Sequence, residues 1–242
     1  MQLLFKLVKL SFIFLAIFII SACGSTVSQS TSSADRNRQE AQSKQQILNY
    51  VKADADYKIL IAKFEKYGSQ ASDFDQIIRI YPLTRTYSPY ANVEQAQKLI
   101  AFDSMEKENW DACLQATSTI LEENYTSLTG HYGAMVCHFE SGKNVIGEHH
   151  NSILDGFIDA IWRSGDGKTP ATAFYITSTN DLYAFVQLNG MIATGESLVY
   201  HEQRPMDAVT VEDPQTKTES TWYFDVTAQF RRGILDDLES RL

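Results

Sequence analysis

Four histidines offer the first candidate chemistry: His131, His138 and the adjacent pair His149-His150. Imidazoles serve as metal ligands and as acid–base groups near neutral pH. Neighbours in a helix point about 100° apart, so His149 and His150 do not chelate together. His131 and His138 share a helix face but stand two turns apart. No acid follows at a metalloprotease spacing. His150 falls on an apolar stripe with Ile153 and Leu154, which reads as a core histidine bonded to the following turn. A pocket formed by His150, Asp166 and Lys168 is the site that an enzyme or a ligand-binding protein would use. Asp155 and Asp159 would be the further acids of that pocket, but they belong to the solvated face of their helix.

Gly165-Asp-Gly-Lys-Thr169 resembles part of a phosphate-binding loop. The context contradicts it, because Trp162 replaces the required first glycine and Pro170 blocks the helix that must follow. Gly165 then reads as a left-handed helix cap and Gly167 as a tight turn. Cys113 and Cys137 lack redox spacing, and both a disulfide and two buried free thiols are open to them. There is no nucleophile elbow, and no cofactor or metal is implied.

The elements that would hold these residues divide at 150–174. Apolar residues Ile153, Leu154, Phe157, Ile158, Ile161 and Trp162 make one wide helix face. Before it the chain reads helical. Residues 47–67 are helical, with Asp54 or Asp56 as the cap of a second segment inside that span, and Asp73 caps a helix that Pro82 ends or kinks. Trp110 to Leu121, Leu128 to Phe139 and Ile146 to Phe157 repeat one spacing. The turn at Glu108-Asn109-Trp110 recurs at Gly142-Lys143-Asn144, a period of 34. That is the period of tetratricopeptide repeats, although a generic array of helical hairpins fits as well. Gly130, Ala134, Cys137 and Ser141 line one face, suiting close helix approach. After Pro170 the runs 173–178, 182–188, 196–202, 207–212 and 221–227 read as strands of an antiparallel meander, with Asn189-Gly190 a turn and a short helix at the end. The expected fold is α+β: a helical, tetratricopeptide-like region at 47–164, then a small antiparallel sheet within 165–242.

The N-terminus supplies an address. Lys6 and Lys9 precede an apolar run, and Ile20-Ser-Ala-Cys23 resembles a bacterial lipoprotein signal. The resemblance implies a leader at 1–22, diacylglycerol and a further acyl chain on Cys23, and a protein held to the membrane by lipid. Gly24 and Ser25 favour the outer membrane, with the folded part in the periplasm. Residues 23–46, poor in apolar side chains, read as a flexible tether with a mean reach of about 25 Å. Losing Lys6 and Lys9 takes the net charge from −9 to −11. Such a chain has no footprint for nucleic acid and no basic patch for anionic lipid.

Three stretches, 73–90, 150–174 and 211–226, together resemble a bacterial family of envelope lipoproteins whose function is unknown. The resemblance implies a helical repeat-like half and a small sheet, and it transfers no catalytic residue. The reading is a non-enzymatic module that binds an envelope protein, with Tyr87, Tyr90, Tyr125 and Trp110 as candidate contacts. The alternatives are a hydrolase or small-ligand protein at the helix–sheet junction, and a purely structural role.

Overall fold

Tyr57, Leu60 and Phe64 point the same way on the first helix, and the core gathers on them. The computed structural model describes residues 33–66 and 68–239, so the leader and Cys23 lie outside the described residues. Helix α1 spans Ser33–Glu65 without a break. Residues 33–46, expected to form a tether, are therefore helical. They have no apolar face, but their Ala, Arg, Gln, Glu and Lys side chains cost little in a helix. Asp54 is no internal cap: it accepts from the Arg85 backbone N–H (2.9 Å) and Nε (2.6 Å).

Helix α2 (Ala71–Ile80) begins at Gln70, and Asp73 stands three residues inside it. Asp73 still serves the helix start, accepting the Gln70 N–H at 2.7 Å while Lys63 pairs with it at 2.6 Å. A short turn of helix at Tyr81–Leu83, carrying Pro82, ends the element.

Helices α3 (Val93–Glu106) and α4 (Trp110–Glu123) form one hairpin, and α5 (Leu128–Glu140) and α6 (Asn144–Ser164) form the next. The period of 34 is visible in backbone bonds. Lys107, Glu108 and Asn109 donate to Asp103, Met105 and Ser104. Ser141, Gly142 and Lys143 donate to Cys137, Phe139 and His138, each bond displaced by the same offset. Gly130 and Gly133 let α5 approach α4, since a Cβ at either would press on Leu121 or Thr117. A disulfide between Cys113 and Cys137, with Cα atoms 6.1 Å apart, joins the two hairpins. Helix α6 packs on α2 through Phe157, whose ring meets the Phe74 edge at 5.2 Å. Gly156 is required there because a Cβ would occupy the Phe74 ring.

The strand half differs from expectation in two places. Residues 182–188 belong to helix α7 (Thr179–Leu188), not to a strand. Ser178 caps that helix by accepting the Asp181 N–H at 3.1 Å, and the Asp181 carboxylate accepts the Ser178 hydroxyl at 2.8 Å. Local capping thus outweighs the β propensity of the run. The sheet is also mixed rather than purely antiparallel. Strands β1 (Phe174–Tyr175), β2 (Ile192–His201), β3 (Arg204–Glu212) and β4 (Glu219–Asp225) lie in the order β1-β4-β3-β2, and the two-residue β1 runs parallel to β4. The hairpins β2–β3 and β3–β4 are antiparallel, as expected. Asn189-Gly190 ends α7 rather than turning a hairpin, with Gly190 at φ 75°.

Helix α8 (Thr227–Glu239) follows β4. Its Arg232 donates to the Tyr87 carbonyl at 2.8 Å and to the Thr84 carbonyl, tying the chain end to the 84–87 connector. Among the described residues the architecture is α+β, with eight α-helices and a four-stranded sheet.

Candidate functional site

The histidines meet within the second hairpin, between α5 and α6. His131 on α5 is fully buried, and its Nε2 lies 2.8 Å from the Tyr125 carbonyl. A carbonyl only accepts, so Nε2 carries the proton. Neutral His131 then accepts at Nδ1 from His150 Nδ1, 3.1 Å away on α6. His150 is therefore bonded to a histidine across the helix pair and not to the following turn. The His138 ring stacks on His150 at 5.5 Å and 6°.

Burial, reinforced by the neighbouring imidazoles, lowers His131 to about 3 and His150 to about 4. Burial also lowers His138 and His149. At neutral pH His131 and His150 are uncharged rings, poor bases whose protons orient hydrogen bonds. Among the described residues no group of three or more His, Cys, Asp or Glu side chains is arranged to hold a metal ion.

His138, His149 and His150 line a cleft of about 870 Å³. Ala134 and His138 of α5 form its floor. Leu114, Thr117, Ser118, Leu121 and Glu122 of α4 make one wall, and Ile146 with the histidines of α6 makes the other. Ile61 and Glu65 of α1 and Tyr125 close one end. The charged residues of this lining are Glu65 and Glu122, both exposed. Its hydroxyls are committed elsewhere: Ser118 donates to Glu122 at 3.1 Å, and Thr117 to the carbonyls of Cys113 and Leu114. Neither of these two hydroxyls is bonded to an imidazole, and the lining combines apolar side chains with two carboxylates.

The pocket expected from His150, Asp166 and Lys168 does not form. Sixteen residues of mostly helical chain separate His150 from Asp166, roughly 24 Å along the axis at 1.5 Å per residue. Asp166 instead closes its own turn, accepting the Lys168 N–H at 3.0 Å and the Thr172 hydroxyl at 2.6 Å. Lys168, Asp155 and Asp159 are exposed. Gly167 has the expected positive φ of 65°, but Gly165 is extended; it must be glycine because the carbonyl oxygens of Thr172 and Ala173 crowd its α-carbon. Of the aromatic contacts foreseen, Tyr125 lines the cleft and Tyr90 is exposed. Trp110 is half-buried, while Tyr87 is buried and donates to the Thr177 carbonyl at 2.7 Å.

A second polar centre was not foreseen. The Asp181 carboxylate, fully buried, accepts the Leu128 N–H (2.9 Å) and the hydroxyls of Thr177 (2.9 Å) and Ser178 (2.8 Å). Glu94 on α3, also buried, accepts the Ser127 hydroxyl at 2.8 Å. Burial raises both acids, and the charge of Asp181 adds to the rise of Glu94, which reaches about 7. These groups weld α3, α5 and α7 together, with a cavity of about 30 Å³ beside Glu94, room for a water.

Residues 42–232 match the model of a protein family described as a domain of unknown function, DUF4919. No curated protein and no solved structure matches the chain.

Proposed function

We propose, for a chain that belongs to the DUF4919 family of unknown function, that it is an outer-membrane lipoprotein whose tetratricopeptide-like helices bind another envelope protein. The cleft over α5 carries this reading. It is open, walled by Leu114, Leu121 and Ile146, floored by a small residue, and rimmed by two carboxylates with neutral histidines between. A groove of that shape between α4 and α6 suits an amphipathic helix, whose apolar side would enter and whose lysines or arginines would meet Glu65 and Glu122. Anchoring follows the resemblance of residues 20–23 to a lipoprotein signal. Among the described residues no helix is long and apolar enough to cross a membrane.

The test is crosslinking of the tagged protein in living cells, denaturing purification and mass spectrometry, alongside the Cys23→Ser form. One dominant partner, lost when Cys23→Ser releases the protein from the membrane, supports the reading. Background crosslinks alone, from a protein still seated in the outer membrane, sink it.

A further inference from the structure

Helix α1 has two apolar faces. One, made by Ala53, Tyr57, Leu60 and Phe64, is buried in the core. On the opposite side, Leu48, Val51, Ala55, Ile59 and Ala62 are all exposed, Leu48 at 61%, Val51 at 48% and Ile59 at 66%. Their spacing of three, four, four and three places them within an arc of roughly 80°, a stripe four turns long. The charges nearest this stripe are lysines. Lys52 and Lys58 flank it on either side and Lys66 continues it, all three exposed. On the same wheel the carboxylates Asp56 and Glu65 lie farther round. Lysines thus border this outward apolar stripe of an acidic chain, Lys52 also pairing with Asp56 one turn on.

We infer that this stripe lies on the surface of a bilayer containing anionic phospholipid. An apolar face bordered by lysines is the pattern of a helix lying in a membrane interface, with its side chains among the acyl–headgroup boundary and its ammonium groups on phosphates. Residues 24–32 separate Cys23 from the start of α1, and the stripe begins at Leu48 of the same helix, so an anchor at Cys23 brings the stripe to a bilayer at high local concentration. The inference rests on the lipidated Cys23 of the proposed function. It replaces a domain held off the membrane by a long tether, and without a basic patch for anionic lipid, with one seated against the bilayer through the lysines of α1. The stripe does not include Ile61 and Glu65, the α1 residues that line the cleft.

The experiment uses the full chain made with its own leader, purified and reconstituted into vesicles of phosphatidylethanolamine and phosphatidylglycerol. Its mass reports acylation of Cys23. Ile59→Cys carries an environment-sensitive dye, and Glu122→Cys in the cleft is the control. The dye at 59 is expected to shift to the blue and to be quenched by brominated acyl chains, whereas the dye at 122 is not. Reversing Lys52, Lys58 and Lys66 to glutamate should abolish the quenching. An unquenched dye at 59 on protein that floats with the vesicles overturns the inference. So does shielding that depends on protein concentration and yields a disulfide between two copies at 59, which would make the stripe a dimer seam. If the mass shows no acyl chains, the anchor fails separately. The Cys23→Ser form, held by an N-terminal polyhistidine tag on nickel-chelating lipid, then puts the stripe through the same quenching measurement, with the same two outcomes.

Discussion

Glu94→Gln is expected to stabilise the protein above neutral pH and to do nothing in acid. Glu94 is 9% exposed and close enough to Asp181 for the two charges to oppose each other. Burial raises it from 4.5 to about 7. An acid raised in the folded state binds its proton more tightly there than in the unfolded chain. Below pH 4.5 both states are protonated and nothing is lost. As pH rises from 4.5 to 7 the unfolded chain ionises first, so stability falls, and above 7 the whole penalty is in place. A rise of that size corresponds to about 3 kcal/mol. Glutamine keeps an oxygen for the Ser127 hydroxyl and carries no charge. The gain belongs to the Glu94–Asp181 pair, because removing one charge relieves the other. With a urea slope of about 2 kcal/mol/M, the midpoint should move up by roughly 1.5 M at pH 8. The assay is urea unfolding of wild type and variant from pH 4.5 to 8, followed by circular dichroism. Taking the difference between the two proteins removes the histidines, whose effect has the opposite sign. A variant no more stable than wild type at pH 8, or a gain that persists unchanged at pH 4.5, refutes the reasoning.

The histidine cluster gives the opposite slope. His150, lowered to about 4, stays neutral in the folded state while the unfolded chain protonates near 6.5, so its contribution is lost as pH falls between those values. His150→Gln should flatten that part of the stability curve in the same urea series. The disulfide joins residues 24 apart, and replacing Cys113 and Cys137 with serine should cost about 3.5 kcal/mol by the chain-entropy relation. Unfolding of the oxidised wild type against that double variant measures it. Gly156→Ala should destabilise by about 2 kcal/mol despite the better helix propensity of alanine, because its methyl must displace the buried Phe74 ring. An unchanged thermal midpoint would show that the ring has room.

The helical half was legible because its evidence is periodic. The spacing around Cys113, Cys137 and Ile153 and the repeated turn at 108 and 142 are local patterns, and the backbone bonds obey them. The run at 182–188 misled because its apolar residues are contiguous and carry no period. The deciding signal was polar and upstream: Ser178-Thr-Asn-Asp181 is a helix-start sequence. Residues 33–46 misled for the converse reason, since helix propensity without an apolar face looks like a linker. The parallel β1–β4 pair rests on two residues and leaves no trace in the sequence. The site was half legible. The stripe showed that His150 faces inward, but which group it meets depends on how α5 and α6 are rotated against each other. Glu94 and Asp181 stand among polar neighbours, so nothing local marks them as buried.

The cleft itself is best interrogated with a photo-crosslinking residue placed in living cells at Leu121 or Ile146, on its walls, and at Asp166, in the turn beyond the far end of α6, as an exposed control. Adducts from both wall positions should join one envelope protein at a basic, amphipathic segment, and should disappear when Glu65 and Glu122 are reversed to lysine. Adducts that form equally from Asp166, or that ignore the charge reversal, would mean that the cleft is not where this protein meets its partner.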